Sequence, residues 1–86
     1  MSYISDNVIP GNHGKVFGTN ATSHDDLITI QTAVQKVKGI KDVIIKEDVF
    51  PRELTIHTVD VVSVKEIEDA VIAVGFHAIP KSTFSL

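Results

Sequence analysis

The apolar residues of positions 27–40 recur almost letter for letter at positions 64–76. In the first copy Leu27, Ile30, Ala33, Val34 and Val37 precede Gly39 and Ile40; in the second Val64, Ile67, Ala70, Val71 and Val74 precede Gly75 and Phe76. Spacings of three and four residues place each set on one face of a helix. A glycine just past the last apolar position readily takes the left-handed conformation that stops a helix. The chain is therefore predicted to hold two amphipathic helices in two similar halves, each needing a surface on which to bury its stripe.

The flanks say where the helices begin. Ser23 precedes His24, Asp25 and Asp26, so Ser23 can cap the first helix while Asp26, three residues on, returns a bond to it; acids also suit the positive end of the helix dipole. Ser63 and Glu66 form the same capping box for the second helix, with Ser63 bonding its third amide. The first helix is expected to run to about Lys38, with Lys36 and Lys38 at the negative end of its dipole.

Strand signals fill the remainder. Val16, Phe17 and Thr19 mark a strand in 15–20, where Gly18 signals a bulge or a close backbone approach. Val43, Ile44 and Ile45 mark another in 41–47, and in 53–58 Leu54 and Ile56 alternate with Thr55 and His57. The loop between those two carries apolar Val49 and Phe50, which either fold over the core edge or form a small contact patch. A last strand, 76–79, is expected to end at Pro80, which cannot donate to a ladder.

Strand, helix, strand, strand, helix, strand describes an α+β, ferredoxin-like sandwich: a four-stranded antiparallel sheet with two helices on one face. Its predicted core is Ile30, Val34, Val37, Ile67, Val71 and Val74. Segment 1–13 is expected to be a mobile arm, 14–80 the domain and 81–86 a tail. In the alternative, Tyr3, Ile4, Val8 and Ile9 of the arm pack on the sheet or on a neighbouring chain.

Composition excludes several functions. A chain of 86 residues has room for one domain, and 43% hydrophobic with 22% charged residues is an ordinary aliphatic balance. A formal charge of -3, without a Lys/Arg run interleaved with aromatics, offers no attraction to nucleic acid. No apolar run reaches membrane-spanning length, so a soluble cytoplasmic protein is expected. The absence of cysteine removes disulfides, thiolate metal sites and a Cys nucleophile. Ser23 and His24 are adjacent in sequence with no third orienting group, which does not make a catalytic pair, so no enzyme is expected.

Over 15–79 the chain resembles the heavy-metal-associated domain of copper chaperones and copper-transporting P-type ATPases. The resemblance rests on the stripe from Leu27 to Ile40, on Leu54-Thr55-Ile56, and above all on Ser63, Val64, Ile67, Ala70, Val71, Val74, Gly75 and Phe76. It implies a Met-x-Cys-x-x-Cys motif at the mouth of the first helix. Counting back from Ile30 and Ala33, Ala21 stands at the methionine position and Ser23 and Asp26 at the two cysteine positions, while Gly18 lies two residues too early for the glycine before the methionine. A hydroxyl and a hard carboxylate do not replace thiolates for soft Cu(I).

Imidazole and carboxylate suit Zn(II), Cu(II) or Ni(II). The resemblance also implies that the turn after the second helix lies near the metal loop, so His24, Asp26 and His77 form a candidate ligand set, against the plainer reading of His24 as a solvated loop residue and Asp26 as a capping acid. His57 and His13 are read as surface residues. Two functions follow. One is a divergent metal-transport or homeostasis domain that binds a harder ion weakly, or acts beside a cysteine-bearing relative such as a metal ATPase. The other is a metal-free interaction or self-association module, monomer or weak homodimer, with Lys36, Lys38 and Lys41 facing one way in charge and Glu66, Glu68 and Asp69 the other.

Overall fold

Ser23, extended at φ -79°, accepts the Asp26 amide at 3.1 Å through its hydroxyl and opens the first helix, α1 (His24–Gln35). Ser63 does the same for the second helix, α2 (Val64–Ala73), but accepts the Lys65 amide at 3.2 Å, one residue earlier than a full capping box would have it. The computed structural model describes residues 8–85. Along that span six strands accompany the helices: β1 (Val8–Ile9), β2 (His13–Thr19), β3 (Ile40–Lys46), β4 (Glu53–Thr58), β5 (Val62–Ser63) and β6 (Ala78–Ser85).

Four strands form one antiparallel sheet in the order β3-β4-β2-β6. Register assigns its faces. Leu54 lies opposite both Phe17 and Ile45, and Ile56 opposite Val43, and these residues join Leu27, Ile30, Val34, Ile67 and Val71 of the helices in one apolar cluster. On the other face Ile44, opposite Thr55, is 48% exposed. Both helices therefore cover a single face of the sheet, the ferredoxin-like sandwich expected from the repeated stripes.

Both helices stop short of their glycines. α1 ends at Gln35 with Lys36 as its cap, so Lys38 lies beyond the helix and no basic residue occupies its last turn. Val37 and Val74, expected in the core, sit past the helix ends and are only partly buried against it. The chain then turns through Gly39 and Gly75, both at φ 94°. At Gly39 a Cβ would lie 2.7 Å from Val62 Cγ2, and the Gly39 carbonyl accepts the Val59 amide at 2.9 Å, which docks the end of α1 against the approach to α2.

The N-terminal segment departs from the expected arm. β1 pairs antiparallel with β5, Val8 opposite Ser63 and Ile9 opposite Val62, and Ile9 is fully buried. A turn through Asn12 at φ 60° leads into β2. Thr58, buried on β4, holds that turn: its hydroxyl lies 2.6 Å from the Pro10 carbonyl and accepts the His13 amide at 3.3 Å. His13 accordingly opens a strand instead of closing an arm. Tyr3 and Ile4 lie outside the described residues.

The last strand also differs. It starts at Ala78 and passes through Pro80 to Ser85, with Pro80 opposite Phe17 and a register shift between Val16 and Phe17. β6 is an edge strand, where a proline's missing N–H can face away from the sheet at no cost to the ladder. Gly18, expected to signal a bulge, is instead paired in register with Glu53 and Ile79; the irregularity lies on the neighbouring strand, where Lys81 is the extra residue opposite Val16 and Phe17. The lysine stem lies over Gly18, and its Nζ reaches Glu53 on β4 at 2.9 Å.

Candidate functional site

The segment that joins β2 to α1 is the corner at which the resemblance would set two cysteines. Three side chains hold it in place. Thr19 Oγ1 accepts the Ala21 amide at 3.3 Å, Ser23 caps α1, and Asn20 Oδ1 accepts the His77 amide at 2.9 Å from the turn before β6. The last bond, with the pairing of Thr19 and Ala78, brings the turn after α2 against this loop as expected. Ala21, at the methionine position, is buried.

His24, Asp26 and His77 have separate engagements. His24 is the first residue of α1, and its Nδ1 lies 2.6 Å from Glu47 Oε2 just beyond β3. The hydrogen bond to Glu47 and that carboxylate's charge raise the His24 pKa above 6.5, opposed by desolvation and with the smallest contribution from the charge of Asp25. Asp26 is half-buried and gives its amide to Ser23. His77 is exposed and bonded through its backbone. Among the described residues, no group of three or more His, Asp or Glu side chains is arranged to hold a metal ion.

This corner offers Cu(I) no thiolate: the two positions that the resemblance gives to cysteine carry oxygen donors, the Ser23 oxygen is already committed to the helix cap, and the chain has no cysteine. Two groups absent from the sequence reasoning shape the corner: Asn20 and Glu47. Their partners stand 57 and 23 residues away, so no local pattern signals them.

The same end of the molecule exposes apolar surface. Phe50, at the tip of the β3–β4 loop, is 79% exposed, with the Arg52 guanidinium 5.8 Å from its ring centre. Arg52 Nη1 donates to the Val49 carbonyl at 2.8 Å, which braces the loop, and Val49 is half-buried. The two apolar residues of this loop thus divide between packing and display. Beside them Pro51 and Ile79 border a shallow apolar hollow of about 240 Å³ against Thr19 and Asn20. His57 lies on the open, polar face of the sheet as expected, where its side chain is 19% exposed and Nδ1 lies 2.8 Å from Asp42 Oδ1. No described helix is long and apolar enough to cross a membrane.

No family model matches the sequence, and no curated protein matches it. Solved structures do match the fold. The yeast copper transporter domain CCC2A, solved in apo and Cu(I)-loaded states, superposes with a TM-score of 0.70 at 17% identity, covering 81% of this chain and 96% of that one. The first domain of the human copper chaperone for SOD1, in its copper(I)-loaded form, gives 0.68 at 18% identity over 81% and 93% of the two chains. A copper binding domain from HMA7, a P-type ATPase, gives 0.69 at 14% identity over 83% and 96%. The fold of this chain is that of the heavy-metal-associated domains, built here on a sequence with no cysteine.

Proposed function

We propose that this chain is a divergent heavy-metal-associated-type domain that does not take Cu(I) at the usual corner and works as a non-catalytic, metal-free docking module in a cytoplasmic metal-transport or homeostasis setting. The observation that carries the reading is the corner itself. Thr19, Asn20 and Ser23 spend their oxygens on backbone amides and so fix the loop without a metal. The exposed Phe50 and Ile79 beside it supply apolar contact area for a protein partner, such as a metal-transporting ATPase. Competition against a strong Cu(I) chelator tests the reading. The wild-type protein should leave the ion with the chelator, whereas Ser23→Cys with Asp26→Cys should withdraw it. Stoichiometric uptake by the wild type would overturn the proposal.

A second reading, weak binding of Zn(II), Cu(II) or Ni(II) through His24 with Asp26 and His77, comes from the resemblance alone and is disfavoured by the geometry, because Glu47 already engages His24 Nδ1 at 2.6 Å and no three such donors converge among the described residues. Calorimetric titration decides it. His24→Ala should abolish the heat of binding while His13→Ala and His57→Ala leave it intact; equal behaviour of all variants removes this reading.

A further inference from the structure

The sheet has two edge strands, β3 and β6. Each edge presents backbone groups that could take up a strand from another chain. β6 is blunted by Pro80 and by the bulge at Lys81. β3 has no proline, and after an irregularity between Ile40 and Asp42 it runs in unbroken register through Val43, Ile44 and Ile45. A β-branched run of this kind on an edge is a template for pairing.

Which groups face off that edge follows from the ladder. The Thr58 carbonyl accepts the Asn12 amide, so Thr58 directs its backbone groups to the β2 side of β4. Alternation then turns His57 and Thr55 toward β3, and Ile56 away from it. Val43, opposite Ile56, points its own backbone groups off the edge. Its carbonyl is nevertheless bonded: Gln31 Nε2 of α1 donates to it at 2.7 Å. One helical turn on, Gln35 Nε2 donates to the Lys41 carbonyl at 3.1 Å. The Gln31 amide thus occupies an acceptor that an added strand would need, and the Gln35 amide ties down the irregular stretch of β3 beside it.

We infer that Gln31 and Gln35 guard the β3 edge against strand addition by a second copy of this chain. The second copy is the relevant intruder because it brings the same β-branched edge, and two identical antiparallel edges can pair about a twofold axis. With β3 guarded around Val43 and β6 blunted, docking is directed to the faces and loop ends of the domain.

The lack of cysteine makes a clean test. Ile44→Cys places a single thiol at the exposed middle of β3. With the glutamines intact, this protein should stay uncross-linked under mild oxidation. In the Gln31→Ala/Gln35→Ala background, which preserves helix propensity, disulfide-linked dimer should accumulate and the reduced protein should shift to higher mass with concentration. Gln31→Glu/Gln35→Glu removes the donors but leaves charge at the edge, and should remain uncross-linked. Equal cross-linking in the wild-type and alanine backgrounds, equal cross-linking in the alanine and glutamate backgrounds, or none in the alanine background would overturn the inference. Should the alanine pair not fold, Gln35→Ala alone, at an exposed position, is read by the same outcomes.

Discussion

Gly39 and Gly75 lie in the turns that follow the two helices and share the same backbone angle, φ 94°, yet their surroundings differ completely. A Cβ at Gly39 would stand 2.7 Å from Val62 Cγ2, whereas at Gly75 it would meet nothing within 4 Å. Gly75→Ala should therefore cost only the strain of a left-handed alanine, about 1–2 kcal/mol. Gly39→Ala adds overpacking of about 1–3 kcal/mol, for a total of about 2–5 kcal/mol. Val62 cannot easily give way, since it is β-branched, buried to 1% exposure and held opposite Ile9 in the β1–β5 pair. Against a domain stability on the order of 5–15 kcal/mol, the Gly39 substitution takes a large share. Urea unfolding of both variants, with Val62→Ala and the Gly39→Ala/Val62→Ala double variant, completes the test. Removing the Val62 methyls should recover the overpacking part and yield a coupling energy of about 1–3 kcal/mol. Equal midpoints for the two glycine variants, or a double variant whose loss is the sum of the singles, would refute the close approach.

Ile30→Ala and Val71→Ala each truncate a fully buried side chain and should cost on the order of 1–4 kcal/mol, read as a lowered denaturation midpoint. Thr58→Val keeps the shape but removes the hydroxyl that bonds the Pro10 carbonyl and the His13 amide; a loss of about 1–3 kcal/mol is expected, with faster amide exchange at His13. Because the folded His24 pKa is raised above 6.5 by Glu47, the pair's contribution to stability is complete below 6.5 and fades as pH climbs through the folded value. An NMR titration should show the His24 pKa falling toward 6.5 in Glu47→Gln, and an unchanged titration would show that Glu47 is not its partner.

The helices, the β3–β4 hairpin and the face each buries were legible in the sequence because their causes are local. Ile30 and Val34, or Ile67 and Val71, share a face through helical period alone, and Leu54 and Ile56 share one through the period of a strand. Even there the ends moved. Val37 and Val74 continue the apolar spacing, but the helices have already stopped and the two valines pack from the turns that follow. At the candidate site, Ser23 as a helix cap and the loss of the thiolates could be read directly from residue identity. The engagement of His24 with Glu47 and of Asn20 with the His77 amide could not.

Sequence by itself determined two amphipathic helices, their starts, and the sandwich that buries both stripes on one sheet. It also determined that no thiolate site exists, since side-chain chemistry needs no fold to be known. Tertiary structure alone decided that Ile9 pairs with Val62 in place of an arm, that β6 continues past Pro80, and that the end of α1 rests on Val62 through Gly39. It likewise decided that Gln31 and Gln35 bond the Val43 and Lys41 carbonyls of β3. Periodicity specifies which face of an element is apolar, because neighbours in the chain set it; the partner of a lone polar group or an edge strand is set by chain closure over tens of residues, and no spacing rule encodes it.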